Sequence, residues 1–203
     1  MKTGDLIAGD GELWHAATHH RFLDQVRDGS LDPAAFSRWL VQDHYFALAL
    51  VRAEGRYLAN APREDFEVLA RGIQAMVAEL AWFEEKAKEM SLQLLTPIHP
   101  TARAYADYLQ ATTYEPYPVQ LTVLWALERA YLEAWRTALP GAPVYREFVL
   151  HWTNQAYAAW VNELEAAANR SLARGGDPER EAFRWIARYE RDFWQMAYSG
   201  DDG

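Results

Sequence analysis

The sequence predicts an all-α protein, a bundle of seven to eight helices. Three observations carry this: apolar residues recur at helical spacing along most of the chain, strand-like alternation is nearly absent, and Pro, Gly and Asx-Pro breaks divide the pattern into helix-length pieces. The 203 residues, half of them hydrophobic, suffice for a single domain spanning 1–203 with a substantial core.

A first amphipathic stretch runs from about Glu12 to Asp28 and stops at Gly29, suited to a left-handed cap. Asp32 and Pro33 supply an N-cap and first-turn proline for a long helix reaching about Ala59, ended by Asn60-Ala61-Pro62. A third helix spans about Arg63 to Met90. Ser91 to Pro100, with two internal prolines and no helical period, reads as an irregular connector that could border a pocket. The fourth helix covers about Thr101 to Thr112, and the segment Tyr114 to Pro118 separates it from a fifth, about Val119 to Ala138. After the turn Leu139 to Pro143 come a short helix, Tyr145 to His151, and a longer one from about Asn154 to Ser171. The break Gly175-Gly176-Asp177-Pro178 precedes a last helix to about Tyr198, and positions 199–203 are expected to fray.

With no cysteine, disulfides, thiolate metal sites and a cysteine nucleophile are excluded together. The 29 acidic residues outnumber the 20 basic ones and no helix carries a basic stripe, which disfavours nucleic acid and anionic membrane as partners. Residues 1–12 lack a secretory pattern and no apolar run approaches the roughly 18 residues of a membrane span, so a cytoplasmic protein with a small-molecule ligand is expected. Nine Trp and eleven Tyr are a large number of rings with polar tips. They either fill a helical core or line a cavity.

Three helical acids sit in greasy surroundings. One turn away from Asp43 are Trp39, Leu40, Phe46 and Ala47; Glu128 has Leu124, Trp125, Tyr131 and Leu132; Glu190 has Ile186, Ala187, Phe193 and Trp194. A charge there must find a partner, stay protonated or serve a ligand. If their helices face one interior, the three would converge on a ligand ringed by aromatics. Glu54, Glu79 and Glu163 pass the same spacing test, so a structural acid is the competing account for each of the six.

Metal chemistry finds little support. Of the six histidines only His15, after Glu12, lies three residues after a Glu, whereas a di-iron bundle requires such a pair on each of two helices. His20 would in principle serve as a proximal haem ligand, but a capping or core histidine is the preferred account. Phosphate loops, nucleophile elbows and nucleic-acid motifs are absent.

The residues resemble the TenA proteins related to thiaminase II. The resemblance covers most of the chain: Leu13-Trp14, His20-Arg21-Phe22-Leu23, Asp28-Gly29-Ser30-Leu31, Phe36 with Trp39-Leu40-Val41-Gln42-Asp43, then Glu79, Tyr131, Tyr157 with Trp160, and Tyr189-Glu190-Arg191-Asp192-Phe193-Trp194. It implies a haem-oxygenase-like all-α fold, a homo-oligomer (tetramer or dimer), no cofactor and no metal, and an aminopyrimidine held in a buried aromatic pocket. In that likeness Asp43 accepts hydrogen bonds from the pyrimidine amino group and Glu190 contacts the ring nitrogens as acid and base. Phe46, Glu79, Tyr105, Tyr131, Tyr157 and Phe193 match substrate-binding positions, Tyr108 competing with Tyr105 for its place. Phe46 stands where many members have a tyrosine, and His20-Arg21-Phe22 replaces a usual His-Pro-Phe.

The departure with chemical weight is Leu127, which occupies the position of the thiaminase II cysteine. Glu128 follows it, so the chain is similar to a branch that lacks the cysteine and carries a glutamate nearby. The resemblance implies a hydrolase of thiamine salvage acting on aminomethyl- or formylaminomethyl-pyrimidines, with Glu128 activating water. Two other readings stand beside it: a non-catalytic pyrimidine-binding or regulatory protein, and a cofactorless oxidase, for which the sequence offers no His and Arg cluster.

Overall fold

A computed structural model of the chain describes residues 1–200. Among them are ten α-helices and one 3₁₀ turn: α1 (Thr3–Gly9), α2 (Gly11–Thr18), α3 (Arg21–Asp28), α4 (Pro33–Asn60), the turn Arg63–Asp65, α5 (Phe66–Glu89), α6 (Pro100–Thr112), α7 (Tyr117–Thr137), α8 (Arg146–Trp152), α9 (Gln155–Leu172) and α10 (Asp177–Ser199). Eight have eight residues or more, while α1 and α8 have seven. None is long and apolar enough to cross a membrane.

Local chemistry explains most boundaries. The Asp32 carboxylate accepts from the Ala34 amide and Pro33 opens α4, while Asn154 caps α9 through the Tyr157 amide. Gly29 closes α3 at φ +86°, and Gly200 closes α10 at φ +77°. Part of the expected fraying tail is therefore ordered: Ser199 is the last residue of α10 and Gly200 its cap, while 201–203 lie outside the described residues.

Two expectations need correction. The stretch Glu12 to Asp28 is not one helix but α2 and α3. His19 and His20 take extended backbone between them, and the His20 ring accepts the Phe22 amide at 3.1 Å, making a new N-cap. The other ring nitrogen of His20 meets Gln195 at 3.2 Å, so this histidine is a cap. The connector 91–99 contributes no residue to the cavity described below; Gln42 holds it on α4, its amide donating to the Pro97 carbonyl and accepting from the His99 amide.

α4, α7 and α10 form the centre of the bundle and pack against one another, with α5, α6 and α9 around them. Their apolar stripes meet in an aromatic core where Trp39 lies edge-on to Trp135 and Trp152, both with centroids 5.1 Å away. A second layer stacks Trp14 on Phe183 at 5.1 Å. Many of the rings therefore serve packing, and the remainder surround a cavity described below.

Gly29 is the most exacting of the turn positions, because a Cβ there would meet the Ala142 Cβ at 2.9 Å in addition to the left-handed backbone. Gly29→Ala is expected to destabilise the fold by about 1–3 kcal/mol in denaturant melts. A change within a few tenths of a kcal/mol would show that the turn relaxes freely.

Candidate active site

A cavity of about 430 Å³ opens between α4, α5, α7, α9 and α10. α4 lends it one face by helical spacing: Asp43, Phe46, Ala47 and Leu50. α7 contributes Leu127, Glu128 and Tyr131, α10 contributes Glu190, Phe193 and Trp194, and α6 contributes Tyr105. The outer wall comes from α5 with Gly72, Met76 and Glu79, and from α8 and α9 with His151, Tyr157 and Trp160. Gly72 is needed there because a Cβ would fall 2.6 Å from the Trp160 ring, whose indole N–H is tied to the Val68 carbonyl.

Asp43, Phe46, Glu79, Tyr105, Glu128, Tyr131, Tyr157, Glu190 and Phe193, the catalytic and substrate-binding candidates named from the sequence, thus line one cavity, as does Leu127. Tyr108 does not; it packs on Tyr189, and Tyr105 takes the interior place. Phe46 lies 4.4 Å from Tyr105 and 5.9 Å from Phe193, forming an aromatic corner beside the acids. Of the three competing acids, Glu163 is surface-exposed and paired with Arg71, whereas Glu54 is buried behind the Gly72 and Trp160 wall. Glu79 reaches the cavity, where its carboxyl is hydrogen-bonded to His151 Nε2 at 2.7 Å and accepts from the Trp152 indole N–H at 2.7 Å. His151, Trp152 and Arg71 are site neighbours the sequence did not single out. No periodicity or motif marks them; they enter from the C-terminal end of α8 and from α5.

Each central acid is held by one tyrosine. Tyr131 donates to Asp43 at 3.0 Å, Tyr157 to Glu128 at 2.6 Å and Tyr105 to Glu190 at 2.7 Å. Asp43, Glu128 and Glu190 are 7%, 4% and 5% exposed, and Glu128 Oε1 is buried without a hydrogen-bond partner. Burial is the largest influence on all three: it pushes Asp43 and Glu128 up to about 7 and Glu190 up to about 8. The tyrosine hydrogen bonds oppose the rise, and the neighbouring acids add to it. The three acids therefore keep their protons to far higher pH than solvent-exposed carboxyls, Glu190 most strongly, a set able both to give and to take protons. Among the described residues no cluster of three or more His, Asp or Glu side chains could hold a metal ion.

An all-α bundle enclosing an acid-lined, aromatic cavity is the class that fold and site define. The family model for TENA/THI-4/PQQC matches residues 11–200, and the chain belongs to that family. The chain is similar to a protein named "Probable bifunctional TENA-E protein" from Glycine max, 27% identical over 91% of this chain and 88% of that one. It is also similar to the aminopyrimidine aminohydrolase of Bacillus subtilis, 24% identical over 92% and 85%. Among solved structures, a TenA homologue from Pyrococcus furiosus superposes with a TM-score of 0.92 at 29% identity, covering 98% of this chain and all of the other. The haem-oxygenase-like fold expected from the resemblance is the fold observed.

The raised acids carry a stability signature. Unfolded, these carboxyls ionise near 3.8 and 4.5, whereas folded they hold their protons to about 7 or 8. Between those limits the native state binds more protons, so stability falls as pH rises, by up to about 1.4 kcal/mol per pH unit for each group. Removing one such group with Glu190→Gln is expected to flatten the fall in melting temperature between pH 5 and 8. Parallel curves for the two proteins would contradict the assignment of a high pKa to Glu190.

Proposed function

We propose that the protein is an aminopyrimidine hydrolase of thiamine salvage, acting on aminomethyl- or formylaminomethyl-pyrimidines to release the hydroxymethyl compound. The observation that carries this reading is the set of three carboxyls, each with one oxygen tied to a tyrosine, around a single aromatic cavity. The names of the Bacillus subtilis and Glycine max relatives support it.

In this reading the flat ring lies in the corner of Phe46, Tyr105 and Phe193, where apolar burial and stacking favour it. Asp43, oriented by Tyr131, accepts from the ring amino group. Glu190 enters protonated and donates to a ring nitrogen, making the exocyclic methylene carbon more electrophilic toward water as the carbon–nitrogen bond breaks with its electron pair on nitrogen. Glu128 Oε1 takes the proton of an attacking water, while Tyr157 holds the other oxygen. Leu127 offers no nucleophile at the cysteine position, so water, with a carboxylate as base, supplies the new bond. The raised acids favour this hydrolase over a binding-only protein, because an uncharged pyrimidine can be held without transferable protons.

Purified protein incubated with either pyrimidine is expected to release ammonia or formamide together with hydroxymethylpyrimidine. Base and acid set opposite limbs, so kcat/KM should be bell-shaped, rising near about 7 as Glu128 ionises and falling near about 8 as Glu190 loses its proton. Glu190→Gln and Glu128→Gln should each lower kcat by about 10²–10⁴. Wild-type rates in Glu190→Gln would overturn its role, and tight pyrimidine binding without turnover would leave the binding-only reading.

A further inference from the structure

The proposed chemistry leaves one proton without a source. The ring occupies Asp43 and Glu190, and the attacking water occupies Glu128. The departing nitrogen must still acquire a proton when it leaves with the bonding pair. Arg71 cannot give one up, and the hydroxyls of Tyr105, Tyr131 and Tyr157 already donate to carboxyls. Beyond these the cavity lining presents a further side chain with a nitrogen-borne proton to transfer, the imidazole of His151.

His151 is fixed more firmly than a partly exposed side chain requires. Its Nε2 is hydrogen-bonded to Glu79 Oε2 at 2.7 Å, and the Trp152 indole donates to Glu79 Oε1 at 2.7 Å, so both carboxylate oxygens are engaged. The Trp82 ring lies flat on the imidazole, 4.0 Å away and 2° from parallel. With Nε2 committed to the carboxylate, Nδ1 is the nitrogen left free of a protein partner, on a side chain that lines the cavity. The pair is also placed outward: the His151 and Glu79 side chains are 31% and 19% exposed, whereas the three ring-facing acids are almost fully enclosed. A substituent projecting from a ring held deep in the cavity would extend toward this outer end.

We propose that His151, oriented by Glu79, is the catalytic acid for the leaving group, its Nδ1–H protonating the nitrogen that departs from the exocyclic methylene. The assignment rests on the hydrolase reading above. The methylene–nitrogen bond breaks with its electron pair on nitrogen, and that nitrogen takes the Nδ1 proton of the His151 imidazolium, leaving a neutral ring whose Nε2–H stays on Glu79. The water oxygen bonds to the methylene carbon and loses its proton to Glu128. Proton return from Glu128 to His151 through solvent restores both groups.

Leaving groups should then differ in their need for His151. An aminomethyl group can arrive already protonated and depart as ammonia, whereas a formylamino nitrogen carries no such proton and depends on an acid. With His151→Gln, kcat for the formylaminomethyl substrate should fall at least about 100-fold, the usual worth of a general acid, and for the aminomethyl substrate by less than about tenfold. Glu79→Gln should show the same substrate bias in weaker form, as loss of an orienting partner does. Hydroxymethylpyrimidine binding and melting temperature serve as controls for folding in both variants. Equal losses on the two substrates, or none, would overturn the assignment while leaving the hydrolase reading intact. Formate in place of formamide would overturn it too, since attack would then fall on the acyl carbon. A wild-type protein that turns over neither pyrimidine would remove the hydrolase reading itself.

Discussion

Three carboxyl groups enclosed in an apolar interior, with tyrosine hydroxyls as their hydrogen-bonding partners, are the constraint on which this molecule turns. A buried carboxylate without a counter-ion is costly, so these groups hold protons well above the usual carboxylate range. A tyrosine hydroxyl fixes one oxygen of each acid without neutralising its charge. An arginine in the same place would pair with the carboxylate and draw its pKa down, ending its use as an acid near neutrality.

Helix geometry meets this constraint with few elements. α4, α7 and α10 each carry one acid inside an otherwise apolar stripe, and the bundle turns those stripes toward a common centre. The indole rings of Trp39, Trp135 and Trp152 lock the helices around that centre, so the acids are positioned by packing and not by loops. The polar interior is compatible with folding because the surrounding aromatic core is large. Gly72 shows how close the tolerances are, since its missing side chain is what lets the Trp160 ring complete the wall.

The outer end of the cavity is built on a different principle. Glu79 and His151 are bonded to each other and partly solvated, while the inner acids face rings and one another. Such a division suits a ligand with a flat, uncharged body and a polar substituent. Leu127 adds an apolar side chain to the lining between the two ends.

The helical period, the Asp32-Pro33 and Asn154 caps and the glycine at position 29 made the fold class and most element ends legible in the residues themselves, because these are local effects of backbone geometry and hydrogen bonding. The break at His19–His20 was not legible, since an imidazole capping an amide leaves no trace in hydrophobic periodicity. For the site, the sequence alone marked six acids in equivalent greasy surroundings and could not rank them by spacing. The packed structure sent Glu163 to solvent, Glu54 behind a wall, and Asp43, Glu79, Glu128 and Glu190 into one cavity. Which tyrosine meets which acid, and the pairing of Glu79 with His151, join residues 29 to 88 positions apart. Local composition determines that a helix has a polar residue in its apolar stripe; only the packing of helices against one another decides what that residue faces.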